Sequence, residues 1–284
     1  MSPTMVLIHG LWLTPRSWEG WKARFEERGY EVLAPAWPRM DGEVEALRRD
    51  PSVMNGLGIA EVVDHYERII RSLATPPVIM GHSTGGLVTE LLLDRGLGAA
   101  GVCLSPAPVK GVLRLPPSLL RCVFPVLRNP ANKNKTFAMT SKQFHYAFTN
   151  TMDDEDANAA YERYAVAAPG RVVFQAAFAN FNPRSVTKVD FHKDDRPPLL
   201  VIGNTEDHTI PASVSKEAAK RLSKSRAVVQ YKEFVGRPHF TAGAPGWEAV
   251  ADYALEWAKR YATAPVKTDW PTRSDTRRQG SAGR

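Results

Sequence analysis

Cysteine is scarce in this sequence. Two occur in 284 residues, Cys103 in an apolar run and Cys122 after Leu119-Leu120-Arg121, too few for a disulfide framework and in no metal-ligand spacing. Cys103 reads as a small core residue. Long apolar runs are also missing: none reaches about 18 residues, so no membrane-spanning helix is expected. Met1 to Thr4 brings no basic segment ahead of an apolar stretch, and Met5 to Ile8 is too short for a signal peptide. The default expectation is a cytoplasmic protein. No H-E-x-x-H, C-x-x-C or P-loop appears, so neither a metal nor a cofactor is expected. A G-x-G-x-x-G does run from Gly96 to Gly101, but it joins a helix end to a strand, whereas a dinucleotide fingerprint follows a strand and opens a helix.

What is present is ordinary globular composition with a basic excess. Hydrophobic residues make up 43% and charged residues 24% of the chain, which suffices for a substantial core. Lysine and arginine outnumber aspartate and glutamate by 37 to 30, a formal charge of +7. Part of that excess sits in a tail, 265–284, that holds Lys267, Arg273, Arg277, Arg278 and Arg284 and almost nothing apolar after Trp270. Such a composition predicts a disordered, solvated segment. The body of the chain shows no basic stripe interleaved with exposed aromatics, so nucleic acid is not expected as a partner.

Strands and helices alternate from the start, which predicts a parallel sheet with helices on both faces. Met5 to Ile8 is a short apolar strand leading into His9-Gly10. Thr14-Pro15 has the form of a helix start, Trp18, Trp21 and Phe25 share one face, and Gly29 closes that helix. Glu31 to Ala34 is the second strand, and Pro35 to Gly58 reads as polar and irregular. From Ile59 to Leu73 the apolar residues fall at the i, i+3, i+4, i+7 positions of one helical stripe. Val78 to Met80 and Ala100 to Leu104 are strands with a helix, Leu87 to Arg95, between them. Two more strands, Pro198 to Ile202 and Ala227 to Phe234, precede a closing helix from Trp247 to Tyr261. The gap of about ninety residues before Pro198 is too long for plain loop. Helical patterns at Ser118 to Leu127, Ser141 to Thr149 and Asp153 to Ala165 predict a helical cap over 106–195, inserted into a core made of 1–105 and 196–264.

Gly81-His82-Ser83-Thr84-Gly85 matches G-x-S-x-G, and its setting strengthens the match: a strand runs directly into it and a helix opens directly after. A sharp strand-to-helix turn of this kind holds a serine in strained geometry and lifts its hydroxyl clear of the sheet, near the positive end of the helix. On these residues, together with His9-Gly10-Leu11-Trp12, the chain resembles the α/β-hydrolase fold superfamily from Met5 to about Tyr261. The resemblance is to its bacterial serine esterase and lysophospholipase-like members, with cofactor-free haloperoxidases and perhydrolases as neighbours.

That resemblance implies a Ser-Asp-His triad in the order nucleophile, acid, base. Ser83 is the implied nucleophile. Asp207, in Gly203-Asn204-Thr205-Glu206-Asp207-His208-Thr209-Ile210-Pro211, stands at the acid position, with Glu206 its local competitor. His239 in Phe234-Val235-Gly236-Arg237-Pro238-His239-Phe240 is the implied base. The oxyanion donors become the backbone amides of Thr84 and Leu11. His82, His9, His208, His65, His145 and His192 read as structural or substrate-adjacent. Trp12 and His82 are pocket candidates, as are Phe144, Phe148 and Phe178 from the aromatic-rich cap, whose rings serve equally well as the cap's own core.

The implied function is cleavage of a carboxylic ester through an acyl-enzyme on Ser83, with a small, apolar acyl substrate. The same triad supports perhydrolysis, acyl transfer, or amide or C–C bond cleavage, and a catalytically silent hydrolase-fold binding protein is a further alternative. Family members usually begin with an antiparallel hairpin that this chain lacks room for before Met5. About six strands are therefore expected, with an exposed edge that a homodimer would cover.

Overall fold

The computed structural model describes residues 4–262. The tail expected to be disordered, 265–284, lies outside the described residues, as do Met1 to Pro3. Six strands form one parallel sheet: β1 (Met5–Ile8), β2 (Val32–Leu33), β3 (Val78–His82), β4 (Ala100–Leu104), β7 (Leu199–Asn204) and β8 (Val229–Phe234), in the order β2-β1-β3-β4-β7-β8. Two further short strands, β5 (Thr136–Phe137) and β6 (Ala168–Pro169), pair antiparallel outside it. The six strands are thus the expected number, and every pairing in the main sheet is parallel.

Strands β1, β3, β4 and β7 are buried along their whole length because both faces of the sheet are covered there, whereas the edge strand β8 mixes half-buried and exposed residues. One face carries Met5, Leu7, Val78, Met80, Val102, Leu104, Leu200 and Ile202, packed under α1 (Glu19–Glu26) and α10 (Trp247–Tyr261). Trp18, Trp21 and Phe25 form an edge-to-face series there, with centroids 5.1 and 5.6 Å apart. The opposite face carries Val6, Ile8, Ile79, Cys103, Leu199 and Val201. Against it pack α3 (Ile59–Arg71), α4 (Thr84–Asp94) and α9 (Ala212–Leu222), in one cluster that also takes in Val126, Phe144, Phe148 and Val172 from the segment between β4 and β7. That segment folds into α5 (Pro117–Leu127), α6 (Ser141–Phe148), α7 (Asp154–Tyr164) and α8 (Gly170–Ala177).

Local signals set the helix starts. Thr14 accepts from the Arg16 amide at 3.3 Å, with Pro15 at the first position of a short 3-10 turn. Thr140 and Gln143 exchange side-chain and backbone bonds at 3.2 and 2.8 Å to open α6, and Asp153 caps α7 through Asp156 at 2.8 Å. Two departures from expectation are helical. Within Pro35 to Gly58 the chain forms α2 (Val44–Arg49) and a 3-10 turn over Pro51–Met54, and α8 was not foreseen. Both helices are short, and α2 buries only Val44 and Leu47, so no full apolar stripe announces it. No helix among the described residues is long and apolar enough to cross a membrane.

The sheet also locates the site. The chain passes from β1 outward to β2 and returns to β3 on the other side of β1, a topological switch whose strand ends form a crevice. The loop His9 to Leu13 leaves β1 there, and Ser83 follows β3.

α4 is buried along nearly its whole length, and Glu90 on it is 1% exposed with neither carboxylate oxygen hydrogen-bonded. Burial pushes its carboxyl up from an ordinary 4.5 to about 8, against the opposing pull of Arg196. The folded state therefore keeps a proton that the unfolded chain loses. This group's contribution to stability is full below about pH 4.5 and is lost as the pH rises through about 8. Urea unfolding at pH 5 and pH 8 should show wild type losing on the order of a few kcal/mol relative to Glu90→Gln. Parallel behaviour of the two proteins would contradict this placement of Glu90.

Candidate active site

Ser83 sits between the last residue of β3 and the first of α4 with φ 56° and ψ −120°, a region that non-glycine residues rarely occupy. Packing holds it there. The Ser83 amide donates to the Leu104 carbonyl at 2.9 Å, and its carbonyl accepts from Gly86 and Ala107 at 2.9 and 3.0 Å. Gly85 is required because a Cβ there would lie 2.1 Å from the carbonyl oxygen of Ile8. The turn is thereby pressed against the end of β1. Thr84 is the first residue of α4, where backbone N–H groups have no partner within the helix.

Asp207 and His239 come from the loops after β7 and β8. Asp207 is 2% exposed, and its Oδ2 accepts from His239 Nδ1–H at 2.8 Å while its Oδ1 accepts from the Ile210 amide at 2.7 Å. Glu206 next to it is exposed, accepting from its neighbour Thr205 Oγ1 at 3.2 Å, so of the two carboxylates only Asp207 faces the histidine. The Asp207 bond assigns the proton to Nδ1 and leaves His239 Nε2 as the bare, basic nitrogen. That nitrogen is buried and has no protein partner. Phe148 stands edge-on to the imidazole at 4.8 Å, and the Phe240 amide donates to the Phe148 carbonyl at 2.8 Å.

His82 bridges the two halves of the site. Its Nε2–H donates to the His239 carbonyl at 2.7 Å, and the two rings lie 4.7 Å apart. Burial and the neighbouring His239 hold it well below the ordinary histidine range, so it stays neutral. The loop after β1 lies directly beside the serine: a Cβ on Gly10 would come within 2.9 Å of Ser83 Cβ. His9 braces that loop, its Nδ1–H donating to the Gly10 carbonyl at 3.0 Å and its Nε2 accepting from the Trp37 amide at 3.2 Å. Burial pushes its pKa down to about 4.

Trp12 has φ 62° and is 4% exposed; its indole donates to the Phe137 carbonyl at 3.0 Å, and it meets Phe148 edge-on at 6.3 Å. Phe144 stacks on Phe148 at 4.7 Å and is fully buried. Of these three rings Phe148 meets His239, and Trp12 and Phe144 pack on Phe148, whereas Phe178 is 50% exposed, stacks on Phe174, and is not brought to the site. Leu11 is buried beside Gly10. Three further histidines brace other parts: His208 bonds the Tyr146 carbonyl at 2.9 Å and His65 the Ala36 carbonyl at 3.1 Å, while His145 lies 3.7 Å from Asp154.

Two anchors escaped the sequence reading. Arg237 clamps the loop that carries His239, donating to Thr241 Oγ1 at 2.7 Å and to the carbonyls of Thr241, Ala244 and Pro245 at 3.0–3.1 Å. Trp21 Nε1–H donates to the Ala242 carbonyl at 3.0 Å from the far side of the same loop. Their acceptors are almost all backbone carbonyls, which leave no mark in a sequence.

A family model described as the alpha/beta hydrolase family matches residues 5–254. Among solved structures, a monoacylglycerol lipase from Paleococcus ferrophilus superposes with a TM-score of 0.64 at 20% identity, covering 90% of this chain and 94% of that one. An extracellular alpha/beta-hydrolase from a Paenibacillus species gives 0.65 at 18% identity, covering 90% and 98%. A methylesterase from Arabidopsis gives 0.65 at 12% identity, covering 91% and 100%. At these identities the likeness is one of fold. No curated protein matches the sequence.

The contact at Gly85 sets two effects against each other. Gly85→Ala gains about 1 kcal/mol of helix propensity, but the added methyl meets a backbone oxygen at 2.1 Å that cannot move without displacing β1. The clash wins. The variant should melt lower than wild type by about 5 °C or more in thermal unfolding, and an unchanged or raised midpoint would contradict the packing.

Proposed function

The chain belongs to the alpha/beta hydrolase family, and on that premise we propose that it is a serine hydrolase cleaving a carboxylic ester through an acyl-enzyme on Ser83. The observation that carries this reading is the buried Asp207–His239 hydrogen bond, 2.8 Å long, with the unpartnered Nε2 on the other side of the ring. His239 Nε2 removes the Ser83 proton as Oγ attacks the ester carbonyl. The carbonyl oxygen becomes an oxyanion, held by the amides of Leu11 and Thr84; each such donor is worth about 3 kcal/mol in the transition state. His239 then gives its proton to the departing alkoxide as the C–O bond breaks. Water repeats the cycle: His239 takes its proton, hydroxide adds to the acyl carbon, and Ser83 leaves with the proton returned.

Asp207 holds the ring in the tautomer that exposes Nε2 and stabilises the imidazolium. Trp12, Phe144 and Phe148 form an apolar wall beside His239, which supports a small substrate with an apolar acyl group. A hollow of about 360 Å³ is lined by Cys122, Phe137, Met139 and Ala147 together with Arg121 and Lys142, and the Trp12 indole donates to the carbonyl of Phe137 in that lining. The hollow supplies room for the remainder of such a molecule.

Hydrolysis of p-nitrophenyl esters graded in acyl length tests the proposal. Ser83→Ala should lose several orders of magnitude in kcat, and Asp207→Asn about 10⁴-fold through the wrong tautomer. Ser83→Ala turning over like wild type would end this reading. The acyl length at which kcat/KM peaks measures the pocket.

A further inference from the structure

From Gly96 to Met152 the chain holds seven lysine and arginine residues and not one aspartate or glutamate. Among the described residues none of the seven forms an ion pair. The same stretch leaves Leu113, Leu115, Leu120 and Phe124 in solvent, Phe124 at 62% exposure. α5 explains how: it buries Leu119, Cys122 and Val126 on one side and turns Leu120, Arg121 and Phe124 outward, so both of its sides are apolar. A soluble chain gains nothing from such an outer face unless something covers it.

Neighbouring elements extend the same character. α8 packs on α5, and Phe178 and Phe181 follow it, Phe181 at 81% exposure. Asn180 fastens this turn to the start of the stretch, accepting from the Gly111 amide at 2.7 Å and donating to the Val112 carbonyl at 2.8 Å. Beside Leu113 and Arg114 a basin of about 800 Å³ is lined by Lys216, Lys220 and Lys224 of α9. Glu217 in that basin is already engaged by the Arg114 amide at 2.9 Å and by Arg221 at 2.8 Å. The face is apolar at its centre and carries unneutralised positive charge around it.

We propose that this face docks onto a membrane surface bearing anionic lipid headgroups. Exposed leucine and phenylalanine side chains enter the boundary between headgroups and acyl chains, and the cations meet the lipid phosphates. A second copy of this chain fits worse, because a two-fold contact sets the same cations against each other, while Glu217 is already engaged by Arg221 and the Arg114 amide. Phe124 and Arg121 also line the 360 Å³ hollow, so docking turns that opening toward the lipid phase. The inference concerns a binding surface and stands whether or not Ser83 is the nucleophile.

The test is co-sedimentation of the full chain, carrying Ser83→Ala so that turnover plays no part, with two kinds of vesicle. One is phosphatidylcholine alone, and the other is phosphatidylcholine mixed with phosphatidylglycerol. The protein should partition onto the mixed vesicles at least about tenfold better and be released by added salt. Leu120→Ser with Phe124→Ser, and separately Arg121→Gln with Arg128→Gln, should each cut that partition about tenfold without changing the melting midpoint. Equal binding to both vesicles, binding to neither, or binding that both double variants keep (which would place the attraction elsewhere on the chain) overturns the proposal. So does light scattering that shows a dimer abolished by Leu120→Ser with no vesicle binding.

Discussion

The centre of this molecule depends on a contact between backbones. The carbonyl of Ile8, at the end of β1, touches the α-carbon of Gly85 so closely that no side chain fits between them. Through this contact the loop after β1 and the turn after β3 become one rigid piece. Ser83 is held at φ 56° inside it, its amide and carbonyl both committed to neighbours on β4 and the loop that follows. A residue in that conformation carries strain that only an over-determined surrounding can sustain. Here the surrounding is the parallel sheet itself, and the strain lies where its topology opens a crevice.

The loop that carries His239, the proposed base, is held by a second set of constraints. His239 arrives on a loop, the least rigid kind of element, yet the loop is fixed from several sides. Asp207 holds the ring, His82 the carbonyl of the same residue, Arg237 the carbonyls that follow, and Trp21 the Ala242 carbonyl. His82 matters doubly, since it belongs to the turn that carries Ser83; one neutral imidazole ties that turn to the loop of His239. The segment between β4 and β7 shares a single apolar cluster with the sheet, and through Phe148 it reaches the ring of His239. The rings beside His239 and the protein core are thus continuous.

Much of this was legible in the sequence, for identifiable reasons. Strands covered on both faces read as continuous apolar runs, so Met5 to Ile8, Ala100 to Leu104 and Leu199 to Ile202 announce themselves. The turn around Ser83 was legible because only glycines fit its close approach. The choice between Glu206 and Asp207 was narrower, since adjacent carboxylates differ only in which way they point, and that is set by the loop's path. Helix α2 was invisible because it buries two residues on a short segment. Phe144, Phe148 and Phe178 look alike in composition, yet two turn inward and one outward, a difference made by tertiary packing alone.

Whether Ser83 is a nucleophile activated by His239, as proposed, is read by covalent chemistry without any assumption about substrate. Incubation with a fluorophosphonate, followed by mass spectrometry of the digested protein, places the adduct on a residue. A single phosphonyl group is expected on the peptide that contains Ser83, with labelling strongly slowed by His239→Ala. An unlabelled protein, or an adduct on another residue with Ser83 intact, would contradict the proposal.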